Sequence, residues 1–544
     1  MGNDFPIDMN LIKQIEIIRG PSSALYGSNG IFATINIVTK SPEEAGPASF
    51  TATVDSFGEK KGQVMETASL GRDAKVLLSA SVFNNAGESP LYFPEFNTPQ
   101  TNNGQAIDMN TERGYHLFAN LVWRNWSVTA AFSGDDKLQP ISWGDTVFNN
   151  RGTQNSDVRN FVDATYARQF RFGTLNWRTY YDEQQYRAQF EYPLDPGNPY
   201  CSGVDDNRQF DDGKWIGSEL TYRMDFRALG TMTAGVEEKI DLRALQTVQD
   251  VSPAPFQYLN VDAPDRNLAL FLQDERKLSR QWTLDLGARY DRSHYQRDFF
   301  SPRAALIYQP HSGGSESVWT YKFLYGRGFR NPSPFQLFDG DGLSAVANPW
   351  ARPEKVDTAE IDAERKIGKR MYLLAAAYGY WLRDYLEGVP VDGGLIQYQN
   401  VGSVHAKGVE IEINGRPFSW LEATASYALQ TTIDESDHGV LENSPEHLAK
   451  LRFAVPAGHK VELSSGMQYM SSVMSLAGAP VPPLYLADFT LTSRSWLRNF
   501  DFTLGVRNAF NRSYFDPVAL NPMVNTMQQP GRSVFMELIP HSAR

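Results

Sequence analysis

The chain has one cysteine, Cys201, in 544 residues. A disulfide framework is excluded. It also lacks any long apolar run. The most apolar stretch, 373–382, falls far short of the ~20 residues that a spanning helix needs. A helical membrane protein is excluded, in keeping with a mean hydropathy of −0.42. Positive charge is in deficit, with 51 Lys and Arg against 63 Asp and Glu and a net charge of −12. A nucleic-acid partner therefore has no electrostatic footprint. The eight histidines are scattered, with neither an HExxH motif nor a close pair. No protein metal site and no cofactor is expected. The Gly-rich stretches lack a following Lys-Ser/Thr, so no phosphate loop is expected. Disorder is excluded by 12% aromatic and only 21% charged residues. The opening MGNDFPIDMNLIKQIEIIRG lacks the basic start, apolar core and small-residue cleavage site of a secretory signal.

What is present is alternation. In 282–291, Trp282, Leu284, Leu286, Ala288 and Tyr290 share one face, and Thr283, Asp285, Gly287, Arg289 and Asp291 the other. Residues 421–429 and 500–510 repeat the pattern. Period two predicts strands with one apolar and one polar face.

The connections divide into two kinds. Short turns are predicted near 71–75, 123–126, 169–173, 229–232, 278–281, 311–317, 367–370, 418–421, 457–460 and 496–499. Longer polar segments separate them, as at 84–112, 133–160, 191–214 and 331–353. Short turns at one end and long loops at the other mark an outer-membrane barrel. The count predicts an all-β, antiparallel transmembrane barrel of about 22 strands. Trp123, Trp126, Phe172, Trp282, Tyr372, Trp420, Trp496 and Phe500 crowd the short turns. An aromatic girdle at headgroup depth accounts for this, whereas a soluble core has no reason to gather rings at one end.

The first 42 residues differ from the rest. Residues 14–18 and 34–39 read as two short strands. RGP breaks the first, and Gly27-Ser28-Asn29-Gly30 forms a turn tolerant of positive φ. Two strands cannot fold alone, so the unit must pack within something else.

IEIIRGPSSALYGSNGIFATINIVTKSP resembles the last segment of the plug domain of TonB-dependent outer-membrane receptors. YGRGFRNPSPFQLF, RPEKVDTAEIDAERKIG, NVGSVHAKGVEIEI, GVRNAFNRSYFDP and QQPGRSVFMEL resemble barrel segments of the same family. The resemblance divides the chain into a C-terminal part of the plug at 1–42 and a barrel at 43–544. It places the plug turns at Gly20, Pro21, Tyr26, Gly27 and Gly30. It also implies a plug–barrel lock between Arg19 and the lumen-facing Glu360 and Glu410.

The implied function is energised uptake of a scarce ligand, most often a ferric siderophore or similar metal chelate, across the outer membrane of a Gram-negative cell. The implied partners are outer-membrane lipid, the extracellular ligand and, for the full-length protein, the TonB–ExbB–ExbD complex. The protein is expected to be a monomer and not an enzyme. Family plugs are longer, so the sequence reads as lacking about a hundred N-terminal residues, the TonB box among them. Aromatic residues in the long segments, Tyr92, Phe93, Phe96, Trp143, Phe335 and Trp350, are candidates for ligand contact. Packing between loops is the competing role for those rings. The competing functions are a passive pore or adhesin, a cobalamin or oligosaccharide receptor of the same fold, and a soluble carbohydrate-active β protein.

Overall fold

The structure, a computed structural model, describes residues 5–20, 24, 27–46, 48–141, 146–195, 203–226, 229–295, 298–310, 318–342, 344–436, 439–458, 460–497, 500–518 and 524–540. Twenty-two antiparallel strands close into one barrel, each paired with its sequence neighbours. Closure is made by Ser49–Asp55 against Ser533–Pro540, with Ala52 opposite Leu538 and Asp55 opposite Phe535. A closed sheet leaves no unpaired edge, which is what permits strands to cross lipid. Among the described residues no helix is long and apolar enough to cross a membrane.

The predicted alternation holds around the wall. Leu268, Leu270 and Leu272 are exposed on one face of Arg266–Lys277, while Ala269 and Phe271 are buried on the other. Ile361 is exposed beside buried Glu360 and Asp362. An apolar outside and a polar inside invert a soluble protein and suit a lipid surround.

The strand ends match the predicted connections. Turns fall at 70–73, 124–125, 171–172, 226–229, 278–281, 309–317, 368–370, 419–420, 458–460 and 498–499. The fourth lies three residues earlier than the sequence pattern placed it. Residues 227–228, 311–317, 459 and 498–499 lie outside the described residues. Rings do gather at this end: Trp282 stacks on Tyr308 at 4.4 Å, and Phe418 on Trp420 at 5.3 Å. Arginines cap several of them, as Arg124 on Trp123 and Arg365 on Trp319. At the opposite end Gly173–Pro193, Val204–Asp225 and Gly230–Ser252 run 21 to 23 residues. They exceed the ~10 residues needed to span lipid and project beyond it. Phe256–Asp262 folds back on the last of them.

Ile12–Arg19 pairs with Ala33–Thr39 as an antiparallel hairpin inside the barrel. It solves its size problem by leaning on the wall. Ile7 and Leu11 pack with Leu77, Phe118 and Ala131, and Ile31 packs with Val356, Leu382 and Val404.

Candidate functional site: the plug segment and its contacts with the wall

Among the described residues, four of the contacts between the plug segment and the wall are built on Arg19, Asp8, Gly27 and the turn at Ser28 and Asn29. The first is Arg19, which ends the strand Ile12–Arg19. Its Nη1 donates to Glu410 Oε2 at 2.9 Å, and Nη2 stands 3.7 Å from Glu412 Oε2. Glu410 and Glu412 share the lumen face of Ile396–Phe418, because Val409, Ile411 and Ile413 point outward. Glu360 lies instead against Gly20, where an added Cβ would sit 3.6 Å from its Oε2. Arg19 thus meets two neighbours on one strand, and Glu412 is a partner that the sequence reading missed. Period two alone would have nominated it, since it shares the face of Glu410.

The Arg19 pair is about two-fifths exposed, so its net worth is small, ~1 kcal/mol or less. Replacing Arg19 by Ala is expected to speed proteolysis of 12–39 by at most about fivefold. A gel time course of limited digestion measures this, and unchanged digestion would show that the pair does not restrain the segment.

The second contact is Asp8, almost fully buried. Lys61 Nζ lies 2.5 Å and His116 Nδ1 3.4 Å from its Oδ1. Burial raises the Asp8 pKa, but hydrogen bonding to His116 and the charge of Lys61 outweigh it and leave it below 3.8. A depressed carboxyl pKa contributes stability above the unfolded value and loses it as pH falls through the folded value. Residues 5–11 are therefore expected to become protease-accessible in acid, between about pH 4 and the lower folded pKa. Equal cleavage at neutral pH and at about pH 2 would contradict this.

The third contact is Gly27, in the left-handed region at φ +71°. A Cβ there would stand 2.7 Å from Arg289 Nη2. Arg289 is 1% exposed and donates from Nε to Asp291 at 3.0 Å and from Nη2 to Glu237 at 2.8 Å. This barrel arginine was also missed. Sequence shows only that it sits on a polar face, and its partner Glu237 lies 52 positions away.

The fourth contact is the apex. Asn29 N donates to the Phe329 carbonyl at 2.9 Å, and Asn331 N donates to Ser28 Oγ at 3.0 Å. Asn331 opens the outer connection 331–353, and Phe329 lies near the end of the strand before it, Val318–Arg330. Its short helix, Pro334–Phe338, is held by a capping box between Ser333 and Gln336. At its end, burial and the charge of Asp341 push the Asp339 carboxyl up to about 6.

The aromatic candidates divide. Trp350 is 87% exposed, and Phe335 is exposed while touching Tyr398 edge-on at 5.8 Å. Tyr92 is exposed, but Phe93 and Phe96 are buried in a loop core with Met109, Ile141 and Val524. Those two rings fasten loops together. Trp143, Pro21 and Tyr26 lie outside the described residues, as does Cys201. Gly20 has φ +72° as its turn demands. Gly30 is buried at the end of the apical turn. Among the described residues no group of three His, Cys, Asp or Glu side chains is placed to hold a metal.

A closed 22-stranded barrel with an internal hairpin at its N-terminal end defines an outer-membrane barrel with a plug segment. The family model for the TonB dependent receptor-like beta-barrel matches residues 92–509, and that for the TonB-dependent receptor plug domain matches residues 1–34. The chain belongs to the TonB-dependent receptors, outer-membrane transporters of Gram-negative bacteria and not enzymes. It is similar to the vitamin B12 transporter BtuB of Vibrio cholerae, with 21% identity over 473 residues, 85% of this chain and 69% of the relative. Among solved structures it resembles the ferric-catecholate import receptor Fiu of E. coli, with TM-score 0.77, 15% identity and coverage of 98% of this chain and 87% of that one. It also resembles the ferric enterobactin receptor PfeA of Pseudomonas aeruginosa, with TM-score 0.74, 17% identity and coverage of 97% and 85%. At such identities these structures speak for the fold alone.

Proposed function

We propose that this receptor takes up a ferric siderophore or a similar metal chelate, and that the chelate is neutral or cationic. The observation that carries the reading is the apex. Ser28 of the plug segment is bonded to Asn331, the first residue of an outer connection that presents Phe335 and Trp350, and Asn29 to Phe329 at the end of the strand before it. A ligand seated on those rings would press directly on the plug, which couples occupancy to transport. Residues 1–42 act as the plug part and 43–544 as the barrel. Arg19 with Glu410, Glu412 and the adjacent Glu360 acts as the lower latch, setting the orientation of the hairpin more than its stability.

Charge selects the ligand class. The eleven outer connections hold 17 Asp and Glu against five Lys and Arg. Such a mouth repels a polyanionic chelate and attracts a cationic one. The expected result in a binding titration is at least tenfold tighter binding of a neutral ferric hydroxamate than of a trianionic ferric catecholate, with the gap narrowing at high salt. The reverse order would remove the charge argument. Cobalamin uptake is the second reading, supported by the extent of the BtuB match; cyanocobalamin binding in the same titration would favour it.

A further inference from the structure

We propose that the outer rim of the barrel carries an open sheet edge that takes an extended, cationic polypeptide segment as an added strand. The edge is Phe256–Asp262. One side of it pairs with residues 245–250 of Gly230–Ser252. Among the described residues no strand pairs with its other side.

The chain path leaves this edge open. Gly230–Ser252 rises through the wall and beyond it. Phe256–Asp262 descends beside its upper part, and Arg266–Lys277 continues downward beside its lower part, with Arg266 opposite Ile240. Trp282–Ser293 then rises beside Arg266–Lys277 but ends at Ser293, opposite Asn267. The next strand starts down at Phe299, opposite Asp291. Among the described residues no strand continues above Ser293, so a lane one strand wide lies beside Phe256–Asp262. Its floor is fixed. Asp265 accepts from Ser293 Oγ at 2.6 Å, from His294 N at 3.1 Å and from Arg266 N at 2.8 Å. Tyr295 is exposed there.

Alternate residues of a strand direct their N–H and C=O groups away from its one partner, so a free edge offers a row of donors and acceptors. Sheet edges are commonly blunted by Lys or Pro. Phe256–Asp262 contains neither. Its irregularity is Tyr258, an extra residue between Gln257 and Leu259 whose hydroxyl donates to Asp250. Regular pairing resumes over residues 259–262. Phe256 is exposed at the upper end, and Asn260 and Asp262 at the lower. Charge names the partner. Residues 244–265 hold Asp250, Asp262 and Asp265 and no Lys, Arg or His. Arg266 and Arg292 stand near the ends of the strands below, and Arg266 is paired with Glu238. A segment that alternates apolar with cationic side chains complements this edge. Main-chain bonds hold it, and its cations meet the carboxylates.

The test is fluorescence anisotropy of a labelled synthetic peptide of alternating valine and lysine, titrated with the purified receptor in detergent. The expected result is binding at least tenfold tighter than that of a valine–aspartate peptide of the same length. N-methylating every valine removes the N–H groups of one peptide edge, and N-methylating every lysine those of the other. One modification should abolish binding and the other leave it within about twofold. Asp262→Asn should weaken binding several-fold, and Glu435→Gln, on a different outer connection, should leave it unchanged. Heat-modifiable gel migration checks that each variant folds; should Asp262→Asn not fold, the two methylated peptides decide. Absence of binding, equal affinity for the aspartate peptide, loss on both methylations or on neither, unchanged binding in folded Asp262→Asn, or equal loss in Glu435→Gln would overturn the proposal.

Discussion

Replacing Arg289 by Met is expected to destabilise the receptor more than any other single change at the plug–wall contacts. The guanidinium is nearly inaccessible and compensates Asp291, itself 3% exposed, and Glu237. It also faces the ring of Phe271, 5.6 Å from its centroid. Removing one member of a buried charged group leaves the others uncompensated, at a cost of about 3–5 kcal/mol. Met fills much of the volume, so the loss is electrostatic and not a cavity effect. The measurement is the rate of thermal unfolding, read by the gel shift between folded and unfolded barrel. Unfolding should accelerate strongly in Arg289→Met and recover in part when Asp291→Asn is added. A double variant as fast as the single one would show that charge compensation is not the cause.

The second large effect is expected at Gly27. Any side chain there must hold φ +71°, which costs a non-glycine residue about 1–2 kcal/mol. It must also displace Arg289, which cannot swing aside because two carboxylates fix it. Gly27→Val should therefore unseat the apical turn and break the bonds at Ser28 and Asn29. Chelate affinity should fall at least tenfold, and protease should reach 27–32. The Gly27 and Arg289 substitutions share one contact, so their effects should be non-additive. Full additivity would mean that the apex is held elsewhere.

The sequence made the barrel legible because a lipid-facing wall obeys a strict rule. One face of every strand must be apolar, and every return must be a short turn or a long loop. Leu284, Leu286 and Tyr290 disclose their strand without knowledge of their neighbours. The lumen obeys no such rule. Asp285, Gly287, Arg289 and Asp291 read as one polar stripe, and only the fold shows that Arg289 is buried under Gly27 while Gly287 faces Ala24. The same limit explains Glu412, which is indistinguishable from Glu410 until the height of Arg19 is fixed. Loop aromatics were the hardest to read. Phe93 and Trp350 both lie in proline-containing loop segments, yet one lies in a core assembled from three distant connections and the other in solvent.

We propose that the barrel and its plug segment work as an energised receptor for a metal chelate. Uptake of radioactive iron from a neutral ferric hydroxamate, in iron-starved cells producing the full-length receptor with and without TonB, tests it most directly. The expected result is accumulation that saturates with chelate, requires TonB and falls at least tenfold in Gly27→Val. Accumulation that is linear in concentration and indifferent to TonB would identify a passive pore and contradict it.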